Sequence, residues 1–108
     1  MAGPRMTTSV LKVVAALLAE PDAERYGLQL MQDTGLPSGT LYPILVRLER
    51  AGWVASRWED IDPAVEGRPT RRYYRLTGEG VTEARREVAL MHQQMSRASS
   101  PATRTRPA

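Results

Sequence analysis

The spacing of apolar residues changes at Gly52, and this change limits the fold more than any other feature of the chain. Before it, "PSGTLYPILVRLERAG" carries apolar residues at 41, 44, 45 and 48, the spacing of a helix with one buried face. After it, "WVASRWE" alternates with the period of a strand, and "RRYYRL" at 71–76 is typical of its antiparallel partner. The pattern predicts a helix followed by a β-hairpin.

The helix before Gly52 contains a proline on its outer face. Ser38 is its predicted N-cap, so Pro43 falls in the first turn and a half, where several N–H groups lack an intrahelical partner. At about 100° per residue, the side chains that point away from the apolar stripe are Thr40, Pro43, Arg47 and Arg50, with Tyr42 on the flank. This face offers a hydroxyl, an aromatic ring edge and guanidinium groups to a partner.

Two helices are predicted before this one. The first spans about residues 8–19 and the second about 23–34, with Asp22 as its cap. Gly27 inside the second helix costs roughly 1 kcal/mol relative to alanine, which indicates close packing against a neighbour. Gly35 is a plausible C-cap, so only a short turn separates the second and third helices.

A last helix is predicted after the hairpin, capped by Thr77. Its apolar residues recur at three- and four-residue spacings, the pattern of a coiled-coil seam: Val81, Ala84, Val88, Met91 and Met95. The seam is short and weak, so we expect a surface of the first helix to join it in a homodimer, formed by Val10, Val14 and Leu17.

These elements predict a mainly α fold with a two-stranded β-wing, a winged helix-turn-helix. Residues 1–76 would form the DNA-binding domain, 77–98 a dimerisation helix and 99–108 a disordered tail. Trp53 and Trp58 are expected in the core or at the hinge of the wing.

Basic residues are concentrated in the second strand of the hairpin. The chain has a net charge of +3, and "GRPTRRYYRL" at 67–76 contains four arginines and no acid. Phosphate contacts dominate the affinity of DNA-binding proteins, so Arg68, Arg71 and Arg72 are predicted to contact DNA. The acidic stretch 59–66 is expected to pair with nearby arginines or to be solvated at the base of the wing.

Composition argues against several other classes of protein. The chain has no cysteine and one histidine, His92, so a zinc site or a set of catalytic residues cannot be assembled and no cofactor is expected. The absence of cysteine fits a reducing, cytoplasmic compartment. No apolar run reaches 18 residues, so no membrane span is predicted, and Lys12 interrupts the segment that most resembles a signal peptide.

The motifs "GTLYPILVRLERAGWV" and "GRPTRRYYRLTGEG" resemble the PadR family of bacterial transcriptional regulators. The resemblance implies a homodimeric DNA-binding repressor that a small molecule or another signal releases. It also implies that Ser38, Thr40, Tyr42 and Pro43 lie at the DNA, with Arg68 in the wing tip. Many relatives carry a large C-terminal effector domain, whereas here a single helix follows the wing, and that helix lacks the aromatic residue with which some short relatives bind flat ligands.

Two classes of function therefore remain open at the level of sequence. One is a sequence-specific regulator that binds double-stranded DNA. The other is a winged-helix module that binds protein and not DNA, which the basic wing disfavours. A gel-shift assay separates them.

Overall fold

A computed structural model describes residues 3–104, and the side chains of residues 3–98. Over that part of the chain it contains five helices and three strands. In chain order these are α1 (Thr8–Leu18), β1 (Arg25–Tyr26), α2 (Gly27–Thr34), α3 (Ser38–Arg50), β2 (Val54–Trp58), α4 (Pro63–Glu66), β3 (Arg72–Leu76) and α5 (Gly78–Arg104).

One hydrophobic core joins α1, α2, α3, the sheet and the start of α5. The apolar stripe predicted for α3 is confirmed as part of it, because Leu41, Ile44, Leu45 and Leu48 are all buried. Full burial of such a side chain contributes about 1.5–3 kcal/mol. The remaining core residues are Val10, Val13, Val14, Leu17, Leu30, Leu36, Trp53, Val54, Tyr74, Leu76 and Ala84.

The predicted cap of α5 is confirmed. The hydroxyl of Thr77 accepts a hydrogen bond from the backbone N–H of Gly80 at 2.9 Å and donates one to the carbonyl of Gly52 at 2.7 Å. Thr77 therefore caps the last helix and fixes it to the end of α3.

The start of α2 differs from the prediction. Residues 25 and 26 form a strand that pairs with β3, so the sheet has three antiparallel strands in the order β1-β3-β2, and α2 begins at Gly27 without a cap from Asp22. A two-residue strand is too short to show a period in the sequence; it forms because the free edge of β3 offers unpaired N–H and C=O groups. The close packing predicted at Gly27 is confirmed, since a Cβ atom there would lie 1.9 Å from the Tyr42 hydroxyl oxygen.

The ends of α3 also refine the prediction. Pro37, and not Ser38, is the N-cap residue, so Ser38 is the first residue of the helix. Gly35 and Gly52 have φ values of 74° and 81°, the left-handed conformation that ends α2 and follows α3 as predicted.

A short helix, α4, lies in the segment predicted as a long turn between the wing strands. The Asp62 side chain accepts from the N–H of Ala64 at 3.0 Å, Pro63 starts the helix, and Gly67 ends it with φ 70°. The sequence did contain a signal for this helix, because Asp-Pro is a favoured helix start and glycine a favoured helix end.

The residues predicted to form the dimer contact do not share one free surface. Val10, Val14 and Leu17 are buried in the subunit's own core, and this part of the prediction is wrong. Ala84 is also buried, and Val81 and Val88 pack against the same core. The reason is that the first turns of α5 fold back onto α1 within the subunit, whereas Met91 is half-buried and Met95 is 65% exposed.

Trp53 is buried in the core, whereas Trp58 is 60% exposed, which leaves the hinge of the wing as its expected place. Trp58 is the last residue of β2, beyond the part of the strand that covers the core.

α5 continues to Arg104, so the predicted start of the disordered tail at residue 99 is too early. The segment after residue 98 is polar, but extending an existing helix by further residues is easier than starting a new one. Residues 105–108 lie outside the described residues. Among residues 3–104, no helix has the length and apolar character to cross a membrane.

Two glycines of α5 provide a test of the packing at the junction of α3, the sheet and α5. A Cβ atom at Gly80 would lie 1.9 Å from the carbonyl oxygen of Trp53, whereas one at Gly78 would meet no atom within 4 Å. We expect Gly80→Ala to lower the free energy of unfolding by about 1–3 kcal/mol and Gly78→Ala to leave it unchanged or raise it. Denaturant unfolding measures both, and equal stability of the two variants would contradict the packing described.

Candidate nucleic-acid interface

The outer face of α3 is exposed at its N-terminal end. Ser38, Tyr42, Pro43 and Arg47 are exposed and Thr40 is half-buried, on the side opposite the leucine stripe. No side chain caps the start of α3, and its first turn contains no acidic residue. The partial positive charge of the helix N-terminus therefore remains available to an anion such as a DNA phosphate.

Arg47 extends along this face. Its Nε lies 3.4 Å from the carbonyl oxygen of Pro43, one turn earlier in the helix, and its side chain is exposed. This weak contact leaves the terminal N–H groups of the guanidinium available to a partner.

Arg68, predicted to contact DNA from the wing tip, is paired within the chain. Its two terminal nitrogens donate to the two carboxylate oxygens of Glu59 at 2.7 and 2.9 Å. Glu59 also accepts from the backbone N–H of Arg71 and the hydroxyl of Tyr73. These bonds, that of Arg68 first, lower the pKa of Glu59 to about 2, and the same pair raises the pKa of Arg68.

Arg72 is partly paired. Its Nη2 donates to the hydroxyl of Ser56 at 2.7 Å, and that hydroxyl donates to Glu49 of α3 at 2.6 Å. Its guanidinium also lies 5.1 Å from the ring centre of Trp58. This chain of contacts ties the wing to α3 and uses part of the donor capacity of Arg72.

Arg71 retains its charge without an acidic partner. Its guanidinium lies 4.2 Å from the ring centre of Tyr26, and within residues 3–98 no carboxylate lies within 4 Å of it. A stacked arginine is held in position by the ring while its edge N–H groups remain free to bind an anion. Of the three wing arginines predicted at the DNA, Arg71 is therefore the one best suited to bind a phosphate.

A second set of ion pairs, formed by arginines of the two outer strands β1 and β2, was not predicted. Arg57 donates to both carboxylate oxygens of Glu24 at 2.6 and 2.7 Å, which lowers the pKa of Glu24 and raises that of Arg57. Arg25 pairs with Glu20 and Asp33. Arginine and acid in these pairs come from separate elements, so the sequence of either element alone does not reveal them.

The fold brings four of the predicted DNA-binding residues together. Tyr42 from α3 and Arg68, Arg71 and Arg72 from the wing line one open cleft of about 540 Å³. The other four, Ser38, Thr40, Pro43 and Arg47, lie along α3 outside the cleft lining. The candidate interface thus consists of an exposed helix start and a wing, joined by an arginine-rich cleft.

A short turn between two helices, followed by a hairpin wing, defines a winged helix-turn-helix protein. A family model described as the transcriptional regulator PadR-like family matches residues 14–86. The chain belongs to this family, whose members are transcriptional regulators and not enzymes.

Solved structures support the fold. The chain is similar to smu.1704 from Streptococcus mutans UA159, with a TM-score of 0.72 and 23% identity over 97% of this chain and 99% of that chain. A PadR family regulator from Eggerthella lenta DSM 2243 gives 0.67 and 29%, over 83% of this chain and 80% of that one. The PcaV regulator from Streptomyces coelicolor, solved with its natural ligand, gives 0.70 and 24%, over 89% and 62%. A search of curated protein sequences gives no match.

The Glu59–Arg68 pair predicts a pH dependence of stability. The folded-state pKa of Glu59 lies below its ordinary value of 4.5, at about 2. Its contribution is therefore fully present above about pH 4.5 and is lost as the pH falls towards about 2. We expect Glu59→Gln to lower the melting temperature at pH 7 and to show a shallower fall through this window than the wild type.

Asp60→Asn is the matched control, because Asp60 is the exposed neighbour of Glu59. Its melting temperature should follow the wild-type profile from pH 7 to about pH 2. A Glu59→Gln protein with the wild-type profile would mean that this pair does not stabilise the folded wing.

Proposed function

We propose that this protein is a homodimeric DNA-binding repressor that binds a palindromic operator and is released by an effector. The observation that carries the proposal is the exposed, uncapped start of α3 on a helix whose Tyr42 lines one cleft with Arg71 of the wing. Membership of a family of transcriptional regulators supports it. Such a protein would act in the cytoplasm, where the DNA is.

In this proposal the start of α3 enters the major groove. Ser38 and Thr40 come from its first turn, Tyr42 and Pro43 from the next, and Arg47 from one turn further. Hydroxyl groups and helix N-terminal N–H groups are suited to phosphates, whereas a guanidinium can bind the two acceptors of a guanine. We therefore assign Tyr42 to the backbone and Arg47 to a base.

The wing would contact the phosphate backbone beside the groove. Arg71 can do so without giving up an ion pair, whereas Arg68 and Arg72 must share or exchange their acidic partners. The exchange is inexpensive for Arg72, because its pair with Glu49 is partly exposed and such pairs contribute about 0–1 kcal/mol. It costs more for Arg68, because the side chain of Glu59 is only 13% exposed. Arg68 and Arg72 thus remain secondary contacts in the proposal.

The distal half of α5 is the proposed dimer surface. Beyond Val88, within the side chains described, the helix contributes nothing to the subunit's core, yet it carries Leu90, Met91 and Met95. Leu90 and Met95 are 40% and 65% exposed. A second copy of α5 would cover these side chains. In this proposal residues 1–76 are the DNA-binding unit and residues 77–98 the dimerisation helix, as the sequence predicts. Two α3 helices related by a dyad would then read half-sites about 34–36 Å apart.

The DNA contacts can be separated by mutation. Arg71→Ala should weaken binding to specific and scrambled duplexes alike and reduce the slope of log K against log salt by about 1. Tyr42→Phe should also weaken both duplexes alike. Arg47→Ala should relax specificity at one base pair by about 1–3 kcal/mol.

Arg85→Ala is the matched control, because it removes an exposed arginine from α5, outside the candidate interface. The measurement is a binding titration at several salt concentrations. If none of the three interface variants differs from Arg85→Ala, α3 and the wing do not bind DNA, and the alternative of a protein-binding module is favoured.

The dimer surface has its own test. Met95→Glu places a charge in the proposed contact and should shift the protein from dimer to monomer in sedimentation equilibrium. Gln94→Glu adds the same charge at a neighbouring exposed residue outside the apolar spacing and should leave the dimer intact. A Met95→Glu protein that sediments as the wild type does would exclude this part of α5 from the interface.

A further inference from the structure

The cleft between α3 and the wing has the composition of a small-molecule site. Its volume of about 540 Å³ lies within the range of roughly 300–1,000 Å³ typical of ligand pockets. Tyr26, Tyr42, Trp58 and Tyr74 line it with aromatic rings. Trp58 is 60% exposed at this cleft, so its ring is accessible to a ligand. The rings provide surfaces on which a flat molecule can stack.

The same cleft is built to bind an anion. Arg68, Arg71 and Arg72 line it, and no acidic residue does. Arg68 is neutralised by Glu59 and Arg72 is shared with Ser56 and Glu49, but Arg71 keeps its full charge beside the ring of Tyr26. Arg71 is half-buried, and partial shielding from water strengthens the attraction between a guanidinium and an anion.

The donors of the cleft match a phosphate better than a carboxylate. A carboxylate has two coplanar oxygens, which one guanidinium satisfies. Here the cleft is lined by the guanidinium groups of Arg71 and Arg72 and also by the hydroxyl-bearing side chains of Tyr42 and Thr70. Donors that approach from two walls fit the tetrahedral oxygens of a phosphoryl group.

We propose that this cleft binds a small molecule in which a flat aromatic ring is joined to a phosphate, the chemistry of a mononucleotide. The ring stacks against Trp58 and Tyr42, and the phosphate binds Arg71 and Arg72. If the proposed function holds, these residues also contact DNA, so the ligand competes directly with the operator. The site would give this chain a route to effector control that does not need an aromatic residue in its last helix.

The test is a titration of the full chain in the absence of DNA, with AMP, GMP, CMP and UMP in turn. Inorganic phosphate and adenosine serve as the two separate parts of the ligand. The chain has two tryptophans, of which Trp53 is buried and Trp58 exposed, so quenching of emission reports mainly on the cleft. At least one mononucleotide should bind roughly tenfold or more tightly than either separate part.

Variants of Arg71 identify the site. Arg71→Gln removes a charged donor and should weaken mononucleotide binding roughly ten- to a hundredfold, measured by calorimetry. Arg71→Lys keeps the charge but loses the planar fork, and should give a smaller loss; it also serves if Arg71→Gln does not fold. Arg85→Gln, on α5, should bind as the wild type does.

Four results would overturn the proposal. The first three are the failure of all four mononucleotides to bind at about millimolar concentration, equal affinity for inorganic phosphate alone, and wild-type affinity in the Arg71 variants. A single-stranded oligonucleotide that binds where all mononucleotides fail would also overturn it, and would assign the cleft to nucleic acid. No duplex is present in these titrations, so their failure is distinct from a failure of the proposed DNA binding.

Discussion

The backbone carbonyl of Trp53 is the point on which the arrangement of helices and wing depends. It accepts a hydrogen bond from the N–H of Thr77 at 2.9 Å, and Gly80 packs directly against it. Next to it, Val54 and Leu76 pair across the first rung of the β2–β3 ladder. One short contact thus joins the end of α3, both wing strands and the start of α5. Any displacement of α5 must change this contact, so the position of the proposed dimer helix is mechanically linked to α3.

The charge that the wing offers to a partner is smaller than its arginine content. Glu59 neutralises Arg68, Glu49 shares Arg72 through Ser56, and Glu24 pairs with Arg57 on the neighbouring strand. Of the three arginines predicted at the DNA, Arg71, held against Tyr26, is the one that has no ion pair within the described side chains. Pairing also orders the wing, because a guanidinium with two bonds to one carboxylate has a fixed direction. A wing ordered in this way loses less side-chain entropy when it binds.

The elements with strong local signals could be predicted from the sequence. The leucine stripe of α3, the glycines at 35 and 52 and the cap at Thr77 depend on residues within one turn of each other, and the structure confirms them. Contacts between distant parts of the chain were the ones missed. β1 exists only because β3 offers an edge, and Glu24, the acid that pairs with Arg57, lies 33 positions earlier in the chain.

The burial of Val10, Val14 and Leu17 within the subunit was missed for a related reason. An apolar spacing shows that one face of a helix is covered, but it does not show by what. In α5 that face is divided, since Ala84 is covered by the subunit's own core and Met95 is not. Likewise, residue type left open whether Trp58 lies in the core or at the hinge of the wing, and its exposure follows from its place at the end of β2, beyond the core.

Direct competition in the cleft would control DNA binding without a conformational change. If Tyr42 and Arg71 bind either an operator phosphate or a small ligand, the two are mutually exclusive, and the ligand weakens DNA binding by the factor 1 + [L]/Kd. A ligand at a hundred times its Kd then costs DNA binding about 2.7 kcal/mol for each site it occupies. A dimer has two such sites, so full occupancy would oppose operator binding by about twice that energy. That amount is comparable with the roughly 4–10 kcal/mol that separates specific from non-specific binding. A chain with one helix after its wing could therefore respond to an effector through the DNA-binding unit itself, with no separate effector domain.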